Sequence, residues 1–541
     1  MKTTSDTVNA SGAPLNLGDA PMRTALARCA RRNLNRVAIY GAGLHTRRMA
    51  GALADPPVDI VCIIDDDPLR AGSRLWNIPV VSRTDVLHMG INAIVLSSDT
   101  AEDAMWRASA TLRDAGLHVI RLYDTAHSTS MGPSSLDDEP LDILIWPPVE
   151  DPAQWADHRA RLGWALAPVD SRIRRVFVAT ARPAALNAAD APSFLDTAAV
   201  DAGAVLDARI TPVDVSDPEA VSDAVAKSSI VLAWRTDPSL AALAGSGRRV
   251  INLDPIGQPL SAALAAHLSA DLDPTPAEHN HQSRERFHQF LADIRATGRD
   301  TIANLFGTGP SLDHARELDF SAGVSIACNS MVRNDALLDH IDPVAVCCAD
   351  PVFHSGPSTY AGEFRAHLVR QVRARNLWVL CPSRDLLVYE HHLPADVTDR
   401  LIGIPQVSGD APNLDVRTRF EVTATRNVLT QMLIPVACSF AKALDIVGCD
   451  GRPLDEDEYF WSHNAAAQLE ETKMNDAQRA HPGFFSITYN DYYRQHCDTL
   501  SRWLDAAELI GTQIRSRTFS HIPALASRAT HELAHQQAGA A

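Results

Sequence analysis

Short apolar runs alternate along most of this chain with longer stretches whose apolar positions recur at helical spacing. Near the start, MRTALARCARRNL has helical spacing and runs into the strand RVAIY. The strands VDIVCII, WNIPVV, NAIVLSS and HVIRLYD follow. A second series reads LDILIWPP, RVFVAT, SSIVLAW and RVINLDP, and a third reads ANLF, VSIAC, PVAVCC, LWVLC and LDIVG. Strands separated by helices build parallel, doubly wound sheets, so the pattern predicts an α/β chain of three Rossmann-like domains. The polar break SMGPSSLDDEP separates the first two series. DLDPTPAEHNHQSRERFHQF reads as a linker entering a helix, with His279 and His281 as solvated linker side chains. The expected divisions are 1–130, 140–270, a linker and helix at 271–298, and 299–541.

Bulk composition narrows the function classes. At 541 residues, with 46% hydrophobic and 21% charged, the chain reads as globular and long enough for about three domains. A net charge of -17 argues against a nucleic-acid-binding face, but leaves room for an anionic small ligand held by local donors. The 9 cysteines form no CxxC pair and sit largely in apolar runs, as buried thiols of a reducing compartment do. No apolar run is long enough to span a membrane, and the first twenty residues lack a signal-peptide core, so a cytoplasmic protein without a transmembrane segment is expected.

Candidate chemistry gathers at glycine turns after strands. In ANLFGTGPSL, Gly307 and Gly309 have no Cβ and can take positive φ, and Pro310 suits the first turn of a helix whose N-terminus attracts anions. The two readings are a phosphate-binding turn and an ordinary tight strand–helix turn. It is neither a Walker A loop nor a dinucleotide fingerprint. In RVAIYGAGLHT, Gly41 and Gly43 begin a fingerprint that Thr46 fails to complete. In the second series Trp146, Trp234 and Asp254 stand at strand ends, where open sheets bind ligands, with packing or capping as the alternative.

The run GAG…IIDDDP…NIPVV, over about 36–125, resembles the nucleotide-binding-like N-terminal domain of bacterial nucleotide-sugar enzymes, including sugar acetyltransferases and polysaccharide-type epimerases. That resemblance implies a Gly41–Gly43 turn facing a diphosphate and Asp65 or Asp66 near a ribose. The alternative is a domain that has kept the fold and lost the ligand.

From about residue 300 the order GxGPSL, then CN, then a strand ending in Asp-Pro, then a helix before hxhxGhD resembles bacterial CMP-sialic-acid-dependent sialyltransferases. It is equally similar to the sialyltransferase-like domain of the motility-associated-factor glycosyltransferases. The resemblance implies a GT-A-variant domain that transfers an acidic keto sugar, of the sialic, pseudaminic or Kdo type, from a CMP-sugar donor to a saccharide or glycoconjugate acceptor. Gly307, Thr308, Gly309 and Ser311 would face the donor phosphate, and Asn329 the nucleotide. Asn427 and Thr430 would lie near the cytidine, and Asp450 would close the strand-end motif. Arg452 and Tyr459 stand where the sialyltransferases carry two phosphate-binding tyrosines. Asp350 replaces an asparagine of the sialyltransferases. A carboxylate beside phosphate repels it unless protonated or bridged by a cation, so Mg2+ at Asp350 is the candidate cofactor. The catalytic base would be His481 or His463, thirty-one and thirteen residues beyond Asp450. Two rival readings stand beside this one: a pterin-pyrophosphokinase-like diphosphotransferase and a non-catalytic polysaccharide-assembly protein. Neither the oligomeric state nor the identity of the sugar is decided by the sequence.

Overall fold

The computed structural model describes residues 20–98, 101–122, 130–131, 140–186, 189–234, 243, 249–253, 268, 272–453, 466, 471–484 and 489–530. The chain is α/β with several largely parallel sheets, as the hydrophobic pattern predicts. It divides into two compact units: Met1–Pro133 with Val231–Ser261 and His481–Tyr492, and Ser134–Ile230 with Ala262–Ala480 and Tyr493–Ala541.

In the first unit, β1 (Arg36–Tyr40), β2 (Asp59–Ile64), β3 (Arg74–Leu75), β4 (Ile78–Val81), β5 (Ala93–Leu96) and β6 (His118–Arg121) form one sheet. Its order is β3-β4-β2-β1-β5-β6, parallel except for the β3–β4 hairpin. Successive side chains on β1 point to opposite faces. Val37 and Ile39 therefore join Met22, Leu26 and Cys29 of the helix Ala20–Arg31, while Ala38 and Tyr40 pack with Leu96 and Leu112. A short strand β7 (Ser130–Met131) also belongs to this unit.

The second unit begins with β8 (Leu141–Val149), β9 (Ile173–Thr180) and β10 (Ile210–Asp214), parallel in the order β10-β9-β8. Asp151 and Asp196 cap the helices Pro152–Leu166 and Thr197–Leu206 by accepting from the amides of Ala153 and Ala198 at 3.0 and 3.1 Å. The two helices touch backbone to backbone, because a Cβ on Gly163 would lie inside contact distance of Gly203 N and Ala202. Apart from Ile230, β11 (Ile230–Ala233) belongs to the first unit, as does β12 (Arg249–Asn252), which pairs antiparallel with β7.

The largest sheet is built from β13 (Ile302–Phe306), β14 (Val324–Cys328), β15 (Pro343–Cys347), β16 (Trp378–Pro382) and β17 (Leu401–Ile404), and is completed by β20 (Ala443–Val447) and β21 (Gln513–Ser516). A separate parallel pair, β18 (Gln406–Val407) and β19 (Val422–Thr423), lies between β17 and β20 in the chain. The seven strands run parallel in the order β17-β16-β15-β14-β13-β20-β21. The order reverses at β13, whose neighbours are β14 on one side and β20 on the other. One face packs Leu305, Ile326, Cys347, Leu380 and Ile446 on Phe287, Phe290, Leu500 and Trp503. The other packs Ala327, Val346, Val379 and Val447 on Phe364, Leu368 and Tyr389.

Two elements differ from the sequence expectation. After the glycine turn the chain forms a 3-10 helix, Pro310–Glu317, not an α-helix. The expected long helix before β20 is one π-helical turn, Leu429–Leu433, followed by a short α-helix, Ile434–Cys438. Pro435 has no N–H to give to a carbonyl one turn back, and the widened turn lies just ahead of it.

Candidate functional site

Ligands of open parallel sheets gather outside the carboxyl ends of the strands, at the point where strand order reverses. In the largest sheet that point lies between β13 and β20, and the loops leaving them are tightly joined. Gly307 N donates to Val447 O at 2.8 Å and Gly309 N to Gly448 O at 2.8 Å. Ser311 gives both its amide (3.0 Å) and its hydroxyl (2.8 Å) to the Asp450 carboxylate. Burial raises the Asp450 pKa, and the Ser311 donors oppose that rise. The amides of Gly307, Gly309 and Ser311 therefore face the β20 loop, and Asp450 supplies the anion at the start of Pro310–Glu317. These three amides are thus engaged within the protein itself.

Of the two expected reasons for glycine here, the missing Cβ applies and positive φ does not. Gly309 has φ −71, and neither it nor Gly307 is left-handed. A Cβ on Gly307 would lie 2.5 Å from Gly448 O, and one on Gly309 would collide with Asp450 Oδ2. The positive φ values fall across the junction, at Gly448 (+68°) and Gly451 (+64°). Arg452 is buried, with its guanidinium 5.1 Å above the Tyr493 ring. The Tyr493 hydroxyl donates to Arg452 O (2.7 Å) and accepts from Arg452 N (2.9 Å).

Asn329 and Asp350 follow adjacent strands, since Cys328 pairs with Cys347. Asn329 holds φ +49, a left-handed conformation that asparagine tolerates better than most residues. Its Oδ1 is buried without a hydrogen-bond partner among the described residues. Asp350 Oδ1 accepts from Val352 N at 3.0 Å, and Asp350 N donates to His354 Nδ1 at 3.1 Å. His354 Nδ1 is thus an acceptor, and burial holds the ring's pKa down to about 3, so it is neutral. Burial pushes the Asp350 carboxyl up to about 6, against the pull of the Val352 amide and the Arg384 guanidinium. Arg384 donates to Ala349 O at 3.2 Å and stands 3.5 Å from Asp385, a carboxyl that burial also raises.

No group of three or more His, Cys, Asp or Glu side chains among the described residues is placed to hold a metal. A Mg2+ ion at Asp350 would rest on that carboxylate and on ligand phosphates, a mode Mg2+ commonly uses. The cysteines are all free thiols.

Other expected residues are placed as follows. Asn427 Oδ1 accepts from Leu429 N at 2.9 Å, where the chain enters the π-helical turn. Thr430 is buried, its hydroxyl 2.9 Å from that of Thr425. His481 is buried after the helix Glu471–Ala480 and belongs to the first unit. Trp146 lies within β8, three residues before its end, and so does not end the strand as expected, whereas Trp234 directly follows β11. Tyr459, His463 and Asp254 lie outside the described residues. His354, Arg384, Asp385 and Tyr493 went unnoticed in the sequence. The motif LWVLCPS stops one residue short of Arg384, and His354 is four residues past Asp350.

In the first unit Gly41 holds φ +116, and a Cβ there would lie 2.9 Å from Ser97 O. Asp65 Oδ2 accepts from Ala42 N at 2.7 Å and pairs with Arg70 at 3.3 Å, so the expected ribose ligand is engaged by the turn itself. Thr46, in place of the third glycine, donates its hydroxyl to Gly41 O, and its Oγ1 lies 2.8 Å from Ser97 Oγ. Gly43 has an extended backbone, and the Arg70 guanidinium lies 3.7 Å from where its Cβ would be.

Residues 33–110 match the C2185-like N-terminal family model. A solved UDP-D-quinovosamine 4-dehydrogenase from Vibrio fischeri is similar over 16% of this chain and 76% of its own, at 19% identity and a TM-score of 0.14, a likeness too slight to carry a conclusion. No curated protein matches the chain. Among the described residues no helix is long and apolar enough to cross a membrane.

Proposed function

We propose that residues 299–541 form a glycosyltransferase that moves an acidic keto sugar from a CMP-sugar to a surface polysaccharide or glycoconjugate acceptor. The observation that supports this reading best is the pairing of Asn329 and Asp350 on adjacent strand ends. One has a buried carbonyl oxygen without a partner among the described residues, the other a carboxyl that burial raises to about 6. In this reading Asn329 Oδ1 accepts from a nucleotide N–H or O–H. Because Asp450 already takes the Ser311 donors, Arg452 is assigned to the departing phosphate, a role a guanidinium suits well. The acceptor hydroxyl oxygen bonds to the anomeric carbon as the bond to the CMP oxygen breaks, and the hydroxyl proton passes to a base. His481 and His463 are the sequence-derived candidates for that base.

The deciding experiment is a thermal-shift screen of the full chain against CMP, CDP, UDP, GDP and ATP, each with and without Mg2+. CMP at about a hundred times its Kd should stabilise by about 2.7 kcal/mol, and the other nucleotides by clearly less. A response confined to ATP with Mg2+ would transfer the assignment to diphosphate transfer. No response to any nucleotide would favour a non-catalytic assembly protein.

A further inference from the structure

Among its described residues the second series of strands and helices gathers no metal-holding cluster, yet it grips one loop of the candidate site. That loop, residues 350–358, joins β15 to the helix Thr359–Arg375. Four consecutive carbonyls in it accept from outside the loop. His354 O and Gly356 O accept from the Arg365 guanidinium at 3.2 and 2.7 Å. Ser355 O accepts from Trp164 Nε1 at 2.9 Å, and Pro357 O from Asp196 N at 2.8 Å. Ser358 bridges antiparallel to Leu195, and Thr359 N donates to Phe194 O at 3.0 Å.

The gripping side chains are themselves fixed. Arg365 is buried and gives its other nitrogen to Asp196 Oδ2 at 2.8 Å. Its guanidinium lies 4.4 Å from the centre of the Trp164 ring, and that ring stacks on His392 at 3.4 Å. Gly362 leaves space for Asp196, since any Cβ there would strike the carboxylate. Inside the loop, Val352 N donates to Asp350 Oδ1, Asp350 N to His354 Nδ1, and Gly356 N to Pro351 O at 2.7 Å, and none of these holds the carbonyls of 354 to 357. Without the outside donors its buried carbonyls would be unpaired, which a loop avoids by moving. His354 joins the two halves, because its carbonyl is held by Arg365 while its ring holds the Asp350 amide.

We propose that the segment 141–230 is a brace for the Asp350 loop, with Trp164, Asp196 and Arg365 as positioning residues for the site of the largest sheet. The folded segment then has a use: it fixes backbone that the sheet edge alone leaves underdetermined. The consequence for transfer rests on the CMP-sugar reading, whereas the ordering of the loop does not.

The test compares the full-length wild type with Trp164→Phe, Asp196→Asn and Arg365→Lys. Trp164→Phe keeps an aromatic ring against His392 and deletes the donor to Ser355 O together with part of the buried ring. Asp196→Asn keeps the amide to Pro357 O and removes the charge facing Arg365. Hydrogen–deuterium exchange in 350–359 should speed up roughly tenfold or more, with β13 to β17 unchanged. Transfer should show kcat lower by about tenfold to a hundredfold with KM for the CMP-sugar nearly constant, as misplacement of a reacting group predicts. Unchanged exchange in the loop of Trp164→Phe would overturn the brace even if Arg365→Lys fails to fold. Faster loop exchange with kcat unchanged would overturn the positioning role. If the wild type binds no CMP, the substrate reading falls and the exchange experiment alone decides the brace.

Discussion

Replacing Asp350 by asparagine isolates the cost of holding a carboxylate at the edge of the largest sheet. Burial raises this carboxyl from 3.8 to about 6. Two pKa units correspond to about 3 kcal/mol of differential stabilisation of the neutral form. Because the folded value lies above the unfolded one, the favourable term is complete below about pH 4 and is lost as pH rises through about 6. At pH 7 to 8 the wild type bears the whole penalty, and asparagine does not. The amide oxygen of asparagine still accepts from Val352 N, so the hydrogen bond now at 3.0 Å survives. Asp350→Asn should therefore be more stable than wild type at pH 8 by up to about 3 kcal/mol, with the gain fading through pH 6 and gone near pH 4. Urea unfolding of both proteins across that range measures the difference directly. An offset independent of pH, or a variant less stable at pH 8, would refute the reasoning. A stabilising loss of charge is what a site that gives up stability for function should show.

Ser311→Ala removes the 2.8 Å hydroxyl donor to Asp450 while leaving the amide donor, and should cost about 1 kcal/mol in urea unfolding. A loss under about 0.3 kcal/mol would mean that Asp450 does not depend on this cap. Gly163→Ala inserts a methyl where the helices Pro152–Leu166 and Thr197–Leu206 meet backbone to backbone, and should destabilise by about 1–3 kcal/mol or more. A melting temperature within about 1 °C of wild type would contradict that close approach.

Alternation along the strands was legible in the sequence because it is local. A buried parallel strand reads as a short apolar run, and neighbouring positions such as Ile326 and Ala327 fall on opposite faces without reference to the rest of the chain. The glycine turn and the strand ends before Asn329 and Asp350 were recognisable for the same reason, whereas most of the stretch read as a linker, His279 and His281 included, lies in the helix Pro276–Ala296. What fills the turn was not. Ser311 and Asp450 are 139 positions apart, and Trp164 and Ser355 are 191 apart, so no spacing rule joins them. The sequence offered Gly307 and Gly309 as a place for a ligand's phosphate to approach. Tertiary structure brought the β20 loop there instead, and the absent Cβ atoms admit a carbonyl and a carboxylate of the protein itself. Asp350 shows the same division. Its position after a strand is a property of the local pattern, but its raised pKa comes from burial among groups supplied by other elements. Local periodicity determines which residues reach the sheet edge, and only long-range packing decides which donors and charges remain there for a ligand.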